Sequence, residues 1–340
     1  MKPLVLLDPA PRTAAEIFSP ACRARLDAGF EVVERPLGEA AEGWLERFLP
    51  RACFLLGQTD LDAAALERAP ELRAIVNVEG NFLPNVDYAA CFARGVRVLT
   101  ISPVFAQPVA ELAVGLTLAL ARDIPAAHQG FVEGCERYGL DGNRRARLLR
   151  GATLGFVGFG DLGRAVLEAF TGFRCRVLVH DPWLSPAALE REGLTPASLD
   201  ELLGASDVVQ VVATVTAESR GLIGARELAL MKPDALLVLL SRAAVVDFAA
   251  LADACREGRV RAATDVFPEE PLAADDPLRT TPNLLLSAHR AGALESALLE
   301  IGDRVLADLE LMARGLPPQN CKRAEPELVG RLRSRPVDKS

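Results

Sequence analysis

The sequence predicts an α/β protein built from two doubly wound parallel-sheet domains. Its 340 residues suit about two domains. Short apolar runs alternate with helically spaced stretches along the chain, the pattern of parallel strands covered by helices. One stretch, Thr153 to Asp181, reads as strand, glycine-rich turn, helix, strand and acid. Half of the residues are apolar and a quarter are charged, which fits a well-buried chain and not a disordered one.

The strands expected in the first half are Leu4 to Leu7, Glu31 to Val33, Cys53 to Leu56, Ala74 to Val78 and Val96 to Leu99, with helical spacing over Ala14 to Ala28 and Leu61 to Ala69. No glycine fingerprint follows any of them, so this half has a different task from the second. Val109 to Ala121 is strongly helical, is interrupted by Glu111, and reads as too short to span a bilayer. The arm that follows, Gly130 to Arg150, carries Arg144, Arg145, Arg147 and Arg150, which suit a solvated or intersubunit surface.

Next comes Gly158-Phe159-Gly160-Asp161-Leu162-Gly163, opening a helix at about Asp161. Gly158 permits a tight turn, Gly160 lets backbone approach a pyrophosphate, and Gly163 lets the helix pack close to the strand. The helix start adds free N–H groups and the positive end of its dipole. A second strand, Arg176 to His180, ends in Asp181, near the spacing of about 20 residues expected for an acid that holds a ribose. That carboxylate accepts from both ribose hydroxyls and repels a 2′-phosphate, so NAD is expected rather than NADP. The plain alternative is a structural turn with Asp181 capping the strand.

Beyond it we expect a helix at Leu199 to Leu203, strands at Val208 to Val212 and Ala235 to Leu240, a helix at Phe248 to Glu257, and strands at Arg261 to Thr264 and Leu284 to Ser287. Glu295 to Arg314 is an amphipathic helix suited to packing back on the first domain. The Pro- and charge-rich tail past Gly315 has little periodicity and is expected to be partly disordered.

In open α/β sheets ligands sit beyond the carboxyl ends of the strands. Arg242, Glu270 and His289 follow three late strands. Oxidising a hydroxyl by hydride loss also requires a base for its proton, and His289 is placed for this where His128 and His180 are not. A carboxylate such as Glu270 would fix its tautomer, and Arg242 offers a forked cation for a substrate carboxylate. Each has a structural alternative: Arg242 paired with Asp247 or Asp265, Glu270 as a surface acid, His289 satisfied by backbone.

The net charge of −8, without a Lys/Arg block in the body of the chain, makes nucleic acid and anionic membranes poor partners. Seven dispersed cysteines without a C-x-x-C pair suggest reduced thiols in a cytoplasm, and MKPLVLLDPAPRT lacks a signal-peptide pattern. No metal site is expected.

The sequence resembles the D-isomer-specific 2-hydroxyacid dehydrogenase family, which includes phosphoglycerate dehydrogenases and glyoxylate/hydroxypyruvate reductases. The resemblance rests on VGFGDLGRAV with His180-Asp181, SRAAVVDFAAL around Arg242, TDVFPEEPL around Glu270 and TPNLLLSAHRAGA around His289. It implies a flavodoxin-like substrate domain (1–115 with 295–340) and a Rossmann NAD-binding domain (116–294) with a cleft between them. It further implies that His289 is the acid/base, Glu270 its support and Arg242 the substrate-carboxylate ligand, with Asp265 near the nicotinamide carboxamide. NAD would also meet Gly158, Gly160, Asp161, Leu162, Gly163, Asp181 and Thr214, and the substrate would meet Val78, Glu79 and Gly80. The activity implied is interconversion of a D-2-hydroxy acid and its 2-oxo acid by a homodimer.

The chain departs from the family pattern at Leu239, Leu240 and Ala243 around Arg242, at Val212-Ala213-Thr214, at Pro108 and at Arg290. Arg290 suits either solvent or a second cation for a phosphate or dicarboxylate. A non-catalytic, NAD-binding regulatory protein on the same fold is the alternative function.

Overall fold

The computed structural model describes residues 2–332. Among them the strands in chain order are β1 (Leu4–Asp8), β2 (Glu31–Glu34), β3 (Ala52–Gly57), β4 (Ala74–Asn77), β5 (Arg97–Thr100), β6 (Thr153–Val157), β7 (Arg176–His180), β8 (Thr195–Pro196), β9 (Val208–Val211), β10 (Ala235–Leu239), β11 (Val260–Thr264), β12 (Leu284–Leu286) and β13 (Lys322–Arg323). They form two sheets in two compact units. One unit runs through Phe105 and resumes at Ala293; the other is Ala106–Gly292.

The first unit holds a six-stranded sheet of order β13-β5-β4-β3-β1-β2, parallel except for β13. Strands β1 and β4 are buried at every residue, as strands covered on both faces should be. The helical stretch expected over Ala14 to Ala28 is two helices, Ala14–Ile17 and Pro20–Gly29, because Ser19 caps a new helix whose first residue is proline. Leu61 to Ala69 contributes a shorter helix, Ala63–Glu67, capped by Asp62. The long helix Glu295–Ala313 packs on the helices Ala14–Ile17 and Pro20–Gly29.

The tail is more ordered than its composition predicts. Asp308, fully buried in the long helix, accepts hydrogen bonds from the amides of Gln319, Asn320 and Cys321 and from Nδ2 of Asn320. That draws β13 into antiparallel pairing with β5, and a short helix, Pro326–Val329, follows. The last part of the tail, 333–340, lies outside the described residues.

The second unit holds a seven-stranded parallel sheet of order β12-β11-β10-β9-β6-β7-β8. The chain starts at β6, runs out to β8, then returns to β9 on the other side of β6. The order therefore reverses between β6 and β9, the switch point where such sheets bind ligands.

The boundary expected at 115/116 falls inside a continuous helix, Ala106–Ala121, all of which belongs to the second unit. With the 3-10 turn that precedes it, the run Ser102–Ala121 is long and apolar enough to cross a membrane by length and composition, contrary to the shorter span read from the sequence. Its buried face, Val109, Ala110, Ala113, Leu116 and Leu120, joins the core of the second unit and packs along the helix Asp161–Ala169. It serves as a core helix.

Candidate active site

Because the second sheet is parallel, every strand delivers its following loop to one edge, and the residues singled out from the sequence fall there strand by strand. Asp181 follows β7, Gly158 to Gly163 follow β6, Thr214 lies past β9, Arg242 past β10, Asp265 follows β11 and His289 lies past β12.

On the cofactor side, Gly158 has φ +86°, and a Cβ there would stand 2.5 Å from Cα of Ala213. Only glycine makes this turn without strain. No atom lies within 4 Å of the place a Cβ on Gly160 would take, which leaves open space at the start of the helix Asp161–Ala169. Leu162 is half-buried and Gly163 is buried in the first turn. Asp181 is held by two amides: Oδ2 accepts from Phe159 N at 2.7 Å and Oδ1 from Trp183 N at 2.8 Å. The turn, the helix start and the fixed acid fit a dinucleotide with an unphosphorylated ribose. Thr214 is exposed, its carbonyl accepting from Ser219 Oγ.

On the reaction side, Nδ1 of His289 lies 2.6 Å from Oε2 of Glu270, and the other oxygen of Glu270 accepts from Phe267 N at 2.8 Å. The carboxylate is thus fixed by main chain, and as an acceptor it sets the proton on Nδ1, leaving Nε2 for exchange. The side chains of His289 and Glu270 are 30% and 21% exposed, sheltered but reachable. Arg242, past β10, donates from Nη1 to the carbonyl of Ser241 at 2.7 Å.

Asp265 is the residue whose role the sequence reading understated. It is 1% exposed, and its carboxylate accepts from Ser287 Oγ at 2.5 Å, Arg290 N at 3.0 Å and Ala291 N at 2.9 Å. Its carbonyl accepts from His289 N at 2.7 Å. These four bonds clamp the loop that carries His289 in a left-handed conformation, φ +47°. The sequence shows only an acid at a strand end and a serine two places before the histidine; their pairing is tertiary. Arg290 is exposed.

In the first unit, the amide of Val78 already donates to Oε1 of Gln58 at 3.0 Å, and Val78 is fully buried. The carbonyl of Glu79 accepts from Thr100 Oγ1. His128 lies exposed on the helix Ile124–Val132, and His180 Nδ1 is bonded to the carbonyl of Ala197. Among the described residues no cluster of His, Cys, Asp or Glu is arranged to hold a metal ion.

The chain is similar to several known proteins. The model of the NAD binding domain of D-isomer specific 2-hydroxyacid dehydrogenases matches residues 114–291. The D-3-phosphoglycerate dehydrogenase of Archaeoglobus fulgidus is 35% identical over 271 residues, 79% of this chain and 50% of that protein. The glyoxylate reductase of Aeropyrum pernix is 34% identical over 275 residues, 79% of this chain and 82% of that one. The crystal structure of a phosphoglycerate oxidoreductase from Rhizobium etli has 48% identity and a TM-score of 0.86, covering 95% of this chain and 99% of that one. The chain spans about half the length of the phosphoglycerate dehydrogenases it matches. Its second unit is an NAD-binding domain, and the chain belongs to the D-isomer-specific 2-hydroxyacid dehydrogenase family.

Proposed function

We propose that the protein is an NAD-dependent oxidoreductase that interconverts a D-2-hydroxy acid and its 2-oxo acid. The observation that carries this reading is the Glu270–His289 pair on a clamped loop at the carboxyl edge of the NAD-binding sheet. NAD, held by the Gly158 turn, the helix start and Asp181, supplies the hydride acceptor. His289 Nε2 takes the hydroxyl proton in oxidation and returns it in reduction, while Glu270 holds the ring and stabilises the imidazolium. Arg242 pairs with the substrate carboxylate and keeps the reacting carbon at His289. The regulatory, non-catalytic alternative is not favoured, because the relatives that the chain matches are named as dehydrogenases and reductases.

A homodimer belongs to the same reading. The arm from Ile124 to Leu148 exposes Phe131, Tyr138, Leu140 and Leu148, each more than half accessible, an apolar patch that a second copy would cover. A cytoplasmic setting is supported by seven free cysteines.

The direct test is NADH oxidation with glyoxylate, hydroxypyruvate, 3-phosphohydroxypyruvate and larger 2-oxo acids. Turnover of at least one, abolished in His289→Asn, is expected. NADH binding with no turnover across the panel rejects the enzymatic reading.

A further inference from the structure

Two of the arm's arginines face their own chain. They lie along the amino edge of the second sheet, the edge opposite to the one that carries His289. Arg147 pairs with Asp207, just ahead of β9, at 2.7 Å, and its amide donates to the carbonyl of Ala121. Arg145 donates from Nη2 to Oδ1 of Asn283, just ahead of β12, at 3.1 Å. The carbonyl of Arg145 accepts from Nη2 of Arg261, the second residue of β11, at 3.0 Å. Arg261 is 3% exposed, and its Nη1 donates to the carbonyl of Leu120 at 2.8 Å. All of these residues belong to the second unit.

The strand most dependent on this belt is β12. It is three residues long, stands at the end of the sheet and pairs with β11 on one side. Its residues are each half-buried, whereas β11 is buried throughout. So short an edge strand with so little burial is weakly held by its own packing, and its place depends on its two ends. The carboxyl end is clamped by Asp265 through Ser287, His289, Arg290 and Ala291. The amino end is Asn283, left-handed at φ +60°, whose Oδ1 takes Arg145 while its Nδ2 donates to the carbonyl of Cys255 at 2.8 Å. Extended chain has no slack, so a shift at Asn283 is passed on to Ser287 and His289.

We propose that Arg145 is a positioning residue: by holding Asn283 it fixes the amino end of β12, and through that strand it fixes the loop that presents His289. The arm is then part of the framework behind the reacting imidazole. This rests on the dehydrogenase reading above and adds a residue to it. Stability alone is a weak reason for the contact, because the Arg145 side chain is 46% exposed and stands 3.7 Å from its nearest acid, Asp234.

The experiment compares wild type, Arg145→Met, Arg145→Lys and Arg144→Met by hydrogen exchange, Tm and NADH-dependent turnover of 2-oxo acids. Arg144 is the control, since its partner Asp141 lies within the arm. Loss of one charge-assisted hydrogen bond predicts that the amides of His289, Arg290 and Ala291 exchange about 10-fold faster in Arg145→Met. Tm should stay within about 2 °C of wild type. The amides of β7, on the far side of the sheet, should keep their rates. A roughly fivefold lower kcat with KM for NADH within twofold should accompany the faster exchange. Arg145→Lys should recover part of both effects, and Arg144→Met should match wild type. Unchanged exchange at those three amides, an equal rise in β7, the same effects in Arg144→Met, or full kcat in Arg145→Met overturns the proposal. A wild type without turnover removes the dehydrogenase reading, and exchange alone then decides whether the arm holds the loop.

Discussion

The Glu270 carboxylate stands 2.6 Å from Nδ1 of His289 while its second oxygen is tied to the amide of Phe267. Glu270→Gln keeps the shape but offers the ring no negative charge. A fall in kcat of about 10²-fold or more, with NADH affinity within a few-fold of wild type, is the expected result of stopped-flow and fluorescence titration. An unchanged kcat would remove Glu270 from the chemistry.

Much of this site was legible in the sequence, and for a physical reason. Parallel strands read as apolar runs, and the polar residues just past them are the ones the sheet presents; Arg242 and His289 were found that way. What escaped was carried by tertiary hydrogen bonds. Nothing local marks Asp265 as the acceptor for Ser287, Arg290 and Ala291, or Asp308 as the acceptor that draws the tail to β5. The edge strands β8 and β13 are two residues each, too short for any periodicity.

Removing the Ser287 hydroxyl tests the clamp on the histidine loop. Ser287→Ala takes away the 2.5 Å bond to a buried carboxylate, and a loss of about 1–3 kcal/mol of stability is expected from denaturant unfolding. A roughly 10-fold lower kcat should accompany it, with Ser287→Thr recovering most of both. Full activity in the alanine variant would mean that the two amides hold the loop without the hydroxyl.

In the proposed reading Asp181 governs the choice of dinucleotide. Asp181→Ser removes the charge that repels a 2′-phosphate, and the preference for NADH over NADPH in kcat/KM should fall at least 10-fold. Because Asp181 also accepts from Phe159 and Trp183, NADH itself should bind more weakly. Retained discrimination would place the selectivity elsewhere.

The cysteines supply a pH-dependent check on the packing. Burial pushes the thiols of Cys22 and Cys255 up to about 12 and that of Cys91 up to about 11. An unfolded thiol ionises near pH 8.5. The stability these groups preserve is complete below that value and is lost as pH rises from it toward the folded values, so unfolding free energy should decline above about pH 8.5. At pH 8 a thiol reagent should modify the exposed Cys135 first and reach Cys22, Cys91 and Cys255 only on unfolding. Rapid labelling of those three in the native protein would contradict the packing described.

The arm gives a test of assembly. Light scattering should report a dimer for the unaltered chain and a monomer for Phe131→Glu with Leu140→Glu, which places two charges on the exposed apolar patch. A monomeric wild type would discard the dimer.

The left-handed backbone at His289 decides which substitutions there can be interpreted. Alanine would resist φ +47° by about 1–2 kcal/mol, so its effect would mix a missing imidazole with a relaxed loop. Asparagine tolerates the conformation. An Asn, Ala and Gly series at position 289 can therefore separate what the ring does from what the main chain stores.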